Sequence, residues 1–217
     1  MGVRTIGIFG AGKSGTAIAR VAIRAGYDVR IATSGPAERS GLITRVMIPE
    51  ATTVDAAGLA AGSDLVVIAV PLRRYRNLPL AGLAGRTVID VMNYWRPIDG
   101  LLPEFEAADR PSSEVVRSHL PSTARLVKTL NHIGYHEIED LARPAGAPGR
   151  IALGVAGDDP PAVADVAAFV DRIGFTPAIV GGLADSAVLQ PGSPLFGADL
   201  TEPGLRRELC AARSAVP

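Results

Sequence analysis

The apolar run Thr5-Ile6-Gly7-Ile8-Phe9 breaks into Gly10-Ala11-Gly12-Lys13-Ser14-Gly15, and a helical segment from Ser14 to Ala25 follows. A short apolar run that ends in glycine reads as a buried, parallel-type strand, and the turn carries the chain into a helix N-terminus. The glycines have separate tasks there. Gly10 supplies the tight reversal, Gly12 keeps a Cβ out of the space above the helix end, and Gly15 lets helix and strand lie close. Backbone N–H groups and the helix dipole attract phosphate at such an end. A second strand, Asp28 to Ala32, follows the glycine turn at Gly26. This βαβ opening therefore predicts a dinucleotide pyrophosphate site, with Gly10, Ala11, Gly12, Lys13, Ser14 and Gly15 as candidate cofactor contacts.

The same rhythm continues along the chain. Strands are expected at Leu65 to Val70, Thr87 to Val91, Arg125 to Leu130, Ile151 to Ala156 and Pro177 to Val180. Helices are expected from near Asp55, at Ser113 to His119 and from Pro161 to Ile173, while the stretch between the second strand and Asp55 reads as irregular. Alternating strands and helices predict an α/β fold with a Rossmann-type, doubly wound, mainly parallel sheet that can extend to eight strands. Residues 1–181 read as an NADP-binding domain that includes the later strands. Residues 182–217 change character: Leu189-Gln190-Pro191-Gly192-Ser193-Pro194 is turn-rich and Glu202 to Arg213 is a short helix, which together read as a lid or dimer-contact segment.

A chain of 217 residues fills one α/β domain but leaves no room for a full second substrate domain, so another element must finish the active site. A homodimer is expected, with the apolar tail residues Leu183, Val188, Leu189, Leu195 and Phe196 at the contact. Lys plus Arg and Asp plus Glu each number 22, which provides no global field to recruit nucleic acid or an anionic membrane. No apolar run approaches a membrane-spanning length. The lone Cys210 excludes an internal disulfide or CxxC pair. The start, Met1 to Thr5, enters the first strand without signal-peptide architecture, so a soluble, cytoplasmic protein is expected.

Cofactor choice turns on the end of the second strand. An Asp or Glu there binds the adenosine ribose hydroxyls and repels a 2′-phosphate. This chain instead has Thr33-Ser34-Gly35-Pro36, with Arg39 shortly after. Hydroxyls, turn N–H groups and an arginine suit a phosphate, which favours NADP. Against this, Thr33 and Ser34 could simply cap the turn, with Arg39 solvated.

Ligands of open parallel sheets lie beyond the C-terminal strand ends. The candidate substrate loops therefore begin at Val70-Pro71, Met92-Asn93-Tyr94-Trp95 and Asn131-His132. Val70, Pro71 and Asn93 are expected to fix the nicotinamide half. Tyr94, Trp95, Asn131 and His132 are expected to line the substrate side, although ordinary core packing explains the two aromatics equally well. Hydride transfer to a ring carbon would need no protein acid; for a ketone or imine, His132 would be the first candidate proton donor and Tyr135 the next. His132 and Asn93 are thus the candidate catalytic residues. His132, His136 and Glu139 lack a ligand-rich partner motif, so no metal is expected. A non-catalytic NADP-sensing module also fits the glycine turn.

With these motifs together the chain resembles the NADPH:deazaflavin-coenzyme (coenzyme F420) oxidoreductase family of archaea and actinobacteria. The resemblance is carried by Gly10 to Gly15, Thr33-Ser34-Gly35-Pro36, Ala69-Val70-Pro71, Val88-Ile89-Asp90-Val91-Met92-Asn93 and Val127-Lys128-Thr129-Leu130-Asn131. Gly157-Asp158-Asp159, Ile173-Gly174-Phe175 and Gly181-Gly182-Leu183 extend it into the C-terminal half. The N-terminal half also resembles pyrroline-carboxylate reductases and the reductase domain of membrane ferric reductases. Membership implies an NADP(H) oxidoreductase that passes hydride directly to a deazaflavin ring. Two departures bear on this. Ser34 is followed directly by Gly35 where relatives commonly carry Ser-Arg, so Arg39 would have to serve the 2′-phosphate. Asn93-Tyr94-Trp95-Arg96-Pro97 stands where many relatives have Asn-Pro, which leaves the acceptor open among a deazaflavin, a flavin and a small carbonyl.

Overall fold

The computed structural model describes residues 2–33, 37–107 and 109–214. Its elements run β1 (Thr5–Phe9), α1 (Lys13–Arg24), β2 (Asp28–Ala32), α2 (Ala37–Met47), β3 (Thr52–Thr53), α3 (Ala56–Ala61), β4 (Leu65–Ile68), β5 (Thr87–Asp90), α4 (Arg96–Asp99), α5 (Pro103–Glu106), α6 (Ser112–Arg117), β6 (Arg125–Lys128), α7 (Tyr135–Asp140), β7 (Ala152–Gly157), α8 (Pro160–Arg172), β8 (Thr176–Gly181) and α9 (Glu202–Ser214). Short 3₁₀ turns at Leu72–Asn77, Leu80–Leu83 and Leu183–Leu189 complete the path.

Among the described residues, eight strands join one sheet in the order β3-β2-β1-β4-β5-β6-β7-β8. Every pairing is parallel except β6 with β7, where Lys128 faces Ala156 in an antiparallel step. The chain reverses its strand order between β3 and β4, so β1 and β4 diverge above their C-terminal ends and open a crevice there. Strands buried on both faces carry unbroken apolar runs: Leu65, Val66, Val67 and Ile68 are all fully buried. Ile8, Val67, Ile89 and Val127 pack beneath α1, α7 and α8, while Phe9, Ile68, Val88 and Leu126 pack beneath α3 and α6.

Two features depart from the sequence expectation. The stretch read as irregular contains α2 and the two-residue β3. Strands β4 and β6 also stop earlier than their apolar runs. Val70 and Leu130 stand outside the sheet, and Leu130 has a φ of 60°, the only positive value at a non-glycine among the described residues. The early exit of β4 brings Pro71 over the crevice.

The tail folds on its own chain. Leu195, Leu205 and Leu209 close a small core with Ala152, Ala178 and Val180 of β7 and β8. Leu183, Leu189 and Leu195 are each at most 2% exposed. The homodimer argument drawn from an exposed apolar tail therefore loses these residues. No helix among the described residues is long and apolar enough to cross a membrane.

Candidate active site

The glycine turn is fixed by contacts within the protein at two of its positions. Gly10 has φ +108°, and a Cβ there would lie 2.4 Å from the Ala69 carbonyl oxygen. A Cβ on Gly15 would lie 2.0 Å from the Gly10 carbonyl oxygen, so only glycine lets α1 start this close to the strand. Gly12 differs: a Cβ there would meet nothing within 4 Å. It is the residue preceding α1, no side chain caps the helix, and the first turn holds no acid. The first N–H groups of a helix have no acceptor within it. Open space above uncapped donors, at the end of a twelve-residue helix, is a cradle that fits a pyrophosphate.

From this cradle a cavity of about 580 Å³ runs across the strand ends. Gly12, Lys13 and Ser14 form one side; Val70, Pro71 and Leu72 follow β4; Met92 and Asn93 follow β5. Trp95, Ile98 and Asp99 come from the next loop, Tyr135 from α7 and Phe196 from the tail. Eight residues expected from sequence thus meet in one space: Gly12, Lys13, Ser14, Val70, Pro71, Asn93, Trp95 and the second candidate proton donor, Tyr135. Ala11 instead faces a neighbouring cleft of about 540 Å³, which shares Gly12, Lys13 and Tyr135 and continues to Arg20, Met47 and Glu139. Thr33 is half-buried directly after β2. Ser34 and the side chain of Arg39 lie outside the described residues.

Three expected substrate residues do not line the cavity. Tyr94 turns away: its hydroxyl donates to Glu106 Oε1 at 2.6 Å, and its ring stacks on Phe105 with centroids 5.6 Å apart. Asn131 is buried and donates from Nδ2 to the Leu189 carbonyl at 2.6 Å and to Asn93 Oδ1 at 3.0 Å. Asn93 returns the contact through Nδ2 to the Asn131 carbonyl at 2.6 Å, so its amide braces two loops at the cavity wall.

His132 is equally buried, 3% exposed, and its Nε2 accepts the Gly154 N–H at 3.1 Å. That bond leaves the ring proton on Nδ1, which lies 3.4 Å from Asn131 Oδ1. Burial first, and the Lys128 charge second, push its pKa from 6.5 down to about 4. A neutral, enclosed imidazole tying the loop after β6 to β7 has neither the proton supply nor the reach of a general acid. The cause is the exit of β6: the positive φ of Leu130 swings Asn131 and His132 under the tail rather than into the cavity.

Sequence reasoning missed the support beneath the wall. Asp90 and Lys128 are register partners on β5 and β6, and their side chains are at most 1% exposed. Lys128 Nζ reaches Asp90 Oδ2 at 3.2 Å and also donates to the Met92 carbonyl. Asp90 Oδ1 accepts the Met92 N–H at 2.8 Å, and its Oδ2 accepts the Ser113 hydroxyl at 2.8 Å. Both polar groups of the Met92 backbone are therefore held from below. The signal was an acid in one apolar strand, Asp90, and a lysine following two apolar residues in the next, Lys128 after Leu126 and Val127. Asp99 does a similar service, accepting the Trp95 N–H at 2.9 Å and the Arg73 N–H at 3.2 Å.

Residues 5–94 match the family model described as NADP oxidoreductase, coenzyme F420-dependent. Among solved structures, a hypothetical protein of Sinorhizobium meliloti is 27% identical, with a TM-score of 0.77 over 92% of this chain and 96% of that one. A proposed F420-dependent NADP-reductase of Arthrobacter sp. FB24 is 24% identical, with a TM-score of 0.70 over 93% and 100%. A reductive aminase of Aspergillus terreus shares the fold at 17% identity and a TM-score of 0.57, over 87% of this chain and 58% of its own. No curated protein matches the chain.

Proposed function

We propose that this chain, an NADP(H)-using oxidoreductase whose residues 5–94 match the coenzyme F420-dependent family model, passes hydride directly to a flat, deazaflavin-type ring. The observation that carries the reading is the continuity of one cavity from the pyrophosphate cradle at Gly12, past Pro71 and Asn93, to Trp95. The dinucleotide supplies the hydride; the protein supplies placement. Two rings held face to face at contact distance need little acid–base help, because the acceptor takes hydride at carbon. Trp95 offers a flat apolar wall, and Asp99 fixes the backbone on which it stands. The buried, neutral state of His132 suits a framework residue in such a reaction.

The test is anaerobic mixing of the protein with NADPH carrying deuterium at C4 and an 8-hydroxy-5-deazaflavin. Loss of dihydronicotinamide absorbance with deuterium recovered at deazaflavin C5 is expected. Absence of oxidation, or deuterium lost to solvent, would defeat the proposal.

Two further results are expected at the nucleotide end. Fluorescence titration should show NADPH bound more tightly than NADH, since no acid stands at Thr33 to repel the 2′-phosphate; equal affinity would sink this assignment. Gly12→Val should cost the fold only about 1 kcal/mol through a poorer helix cap, because the space beside Gly12 is open. NADPH binding should nevertheless weaken by about 100-fold or more, since the new side chain occupies the place of the pyrophosphate. Binding retained in a folded variant would show that the turn is not the site.

A further inference from the structure

The cavity contains a second chemical device that hydride transfer to a ring does not use. Tyr135 opens α7 and Lys13 opens α1, and the Lys13 ammonium donates to the Tyr135 hydroxyl oxygen at 2.9 Å across 122 residues of sequence. The same ammonium lies 4.8 Å from the Tyr135 ring centroid, so the lysine holds both the oxygen and the ring. Both side chains line the cavity that also holds Pro71, Asn93 and Trp95. Because Lys13 acts as donor in this contact, the hydroxyl proton of Tyr135 is not committed to it. No hydrogen bond from that hydroxyl to another described residue is present. A positive charge at hydrogen-bond distance compensates the negative charge that develops on a phenol oxygen as its proton leaves.

We propose that Tyr135 and Lys13 form a proton-delivering pair, which gives this site a second activity: reduction of small ketones or imines by a dihydronicotinamide. Hydride from C4 of the dihydronicotinamide forms the new C–H bond at the carbonyl or imine carbon. The π pair moves onto oxygen or nitrogen, which takes the proton from the Tyr135 hydroxyl. Lys13 then returns a proton to the tyrosine oxygen and is itself reprotonated from water, leaving the oxidised nicotinamide and an alcohol or amine. The step rests on the cavity being the nicotinamide site proposed above, but not on the acceptor being a deazaflavin. It also reassigns the proton donor from enclosed His132 to a group at the cavity surface.

The experiment uses the full chain with NADPH and 2,3-butanedione, comparing wild type with Tyr135→Phe. The phenylalanine ring keeps its place under the Lys13 ammonium and against His136, whose ring centroid is 3.9 Å away, so the fold is retained. The expected result is a fall in kcat of about 100-fold, the scale of a lost general acid, with KM little changed. A solvent deuterium isotope effect on wild-type kcat should disappear in the variant. Independently of turnover, isobutyramide, an unreactive amide whose carbonyl accepts the same hydrogen bond, should bind the wild-type NADPH complex roughly three- to tenfold more tightly than the Tyr135→Phe complex. Variant kcat within threefold of wild type, an effect confined to KM, or equal or absent amide binding in both proteins would overturn the pair. If wild type reduces the deazaflavin but not the diketone, this inference falls and the ring-to-ring reading stands. If NADPH itself does not bind, both fall.

Discussion

Lys128→Met is expected to destabilise the protein by about 3–5 kcal/mol, the cost of leaving one half of a buried ion pair without its partner. The side chains of Lys128 and Asp90 are at most 1% exposed, so the carboxylate left behind would be a buried charge without its partner. Burial holds the Lys128 pKa below its ordinary value, and the Asp90 carboxylate opposes that shift. Three other contacts radiate from the pair, to the Met92 carbonyl, the Met92 N–H and the Ser113 hydroxyl. Removing the lysine therefore frees one side of Met92 while Asp90 still pulls on the other, and the cavity wall at Met92 and Asn93 loses its set position. Equilibrium denaturation measures the loss. The double variant Lys128→Met/Asp90→Asn should recover at least half of it, because a neutral amide can still accept from the Met92 N–H and no stranded charge remains. A single-variant cost below about 1 kcal/mol, typical of an exposed pair, would show that the pair is solvated and not a brace.

The parallel strands and the glycine turn were legible because their physics is local. An apolar run buried on both faces, a glycine with positive φ and a helix end with open donors each leave a mark within a few residues. Strand ends were less legible. Ala69 and Val70 continue the apolar composition of β4 after the chain has left the sheet, and Leu130 does so beyond β6, since partly and fully buried loop segments need apolar residues too. The face reached by His132 depended on the backbone turn at Leu130, which no side-chain pattern announces. Spacing alone placed Tyr94 beside Trp95 over the pocket, yet Phe105 and Glu106 from α5 compete for its ring and hydroxyl and take it away. Least legible were contacts made by topology. Lys13 and Tyr135 meet only because α1 and α7 lie side by side on one face of the sheet, and nothing in the local sequence of either points to the other. By contrast, Asp90 and Lys128 could have been paired from the sequence, as the opposite charges at the C-terminal ends of two neighbouring apolar strands. The register confirms that they face each other.

Acidification from pH 7 to pH 4 is expected to remove about 3 kcal/mol of stability through His132 alone. Its pKa falls from an ordinary 6.5 to about 4 in the native protein because burial, then the Lys128 charge, disfavours the imidazolium. The sign follows from proton counts. Between these two values the unfolded chain takes up a proton on His132 that the native protein refuses, so protons stabilise the unfolded state. The contribution is fully present above pH 6.5, declines as the pH falls, and changes no further once the native imidazole also titrates near pH 4. Carboxylates add their own acid sensitivity, so the measurement is a difference: denaturation curves for wild type and His132→Gln across pH 7 to 4. Glutamine can accept the Gly154 N–H through Oε1 but cannot take up a proton in this range. The variant should therefore lose less stability on acidification by about the same 3 kcal/mol, and parallel pH profiles would refute the buried, neutral assignment. The same titration bears on the cavity. The Gly197 N–H donates to the His132 carbonyl at 2.8 Å, one residue from Phe196 at the cavity wall. Charging the imidazole strains the segment that anchors this tail turn, so NADPH-linked turnover in wild type should fall more steeply below pH 5 than in His132→Gln.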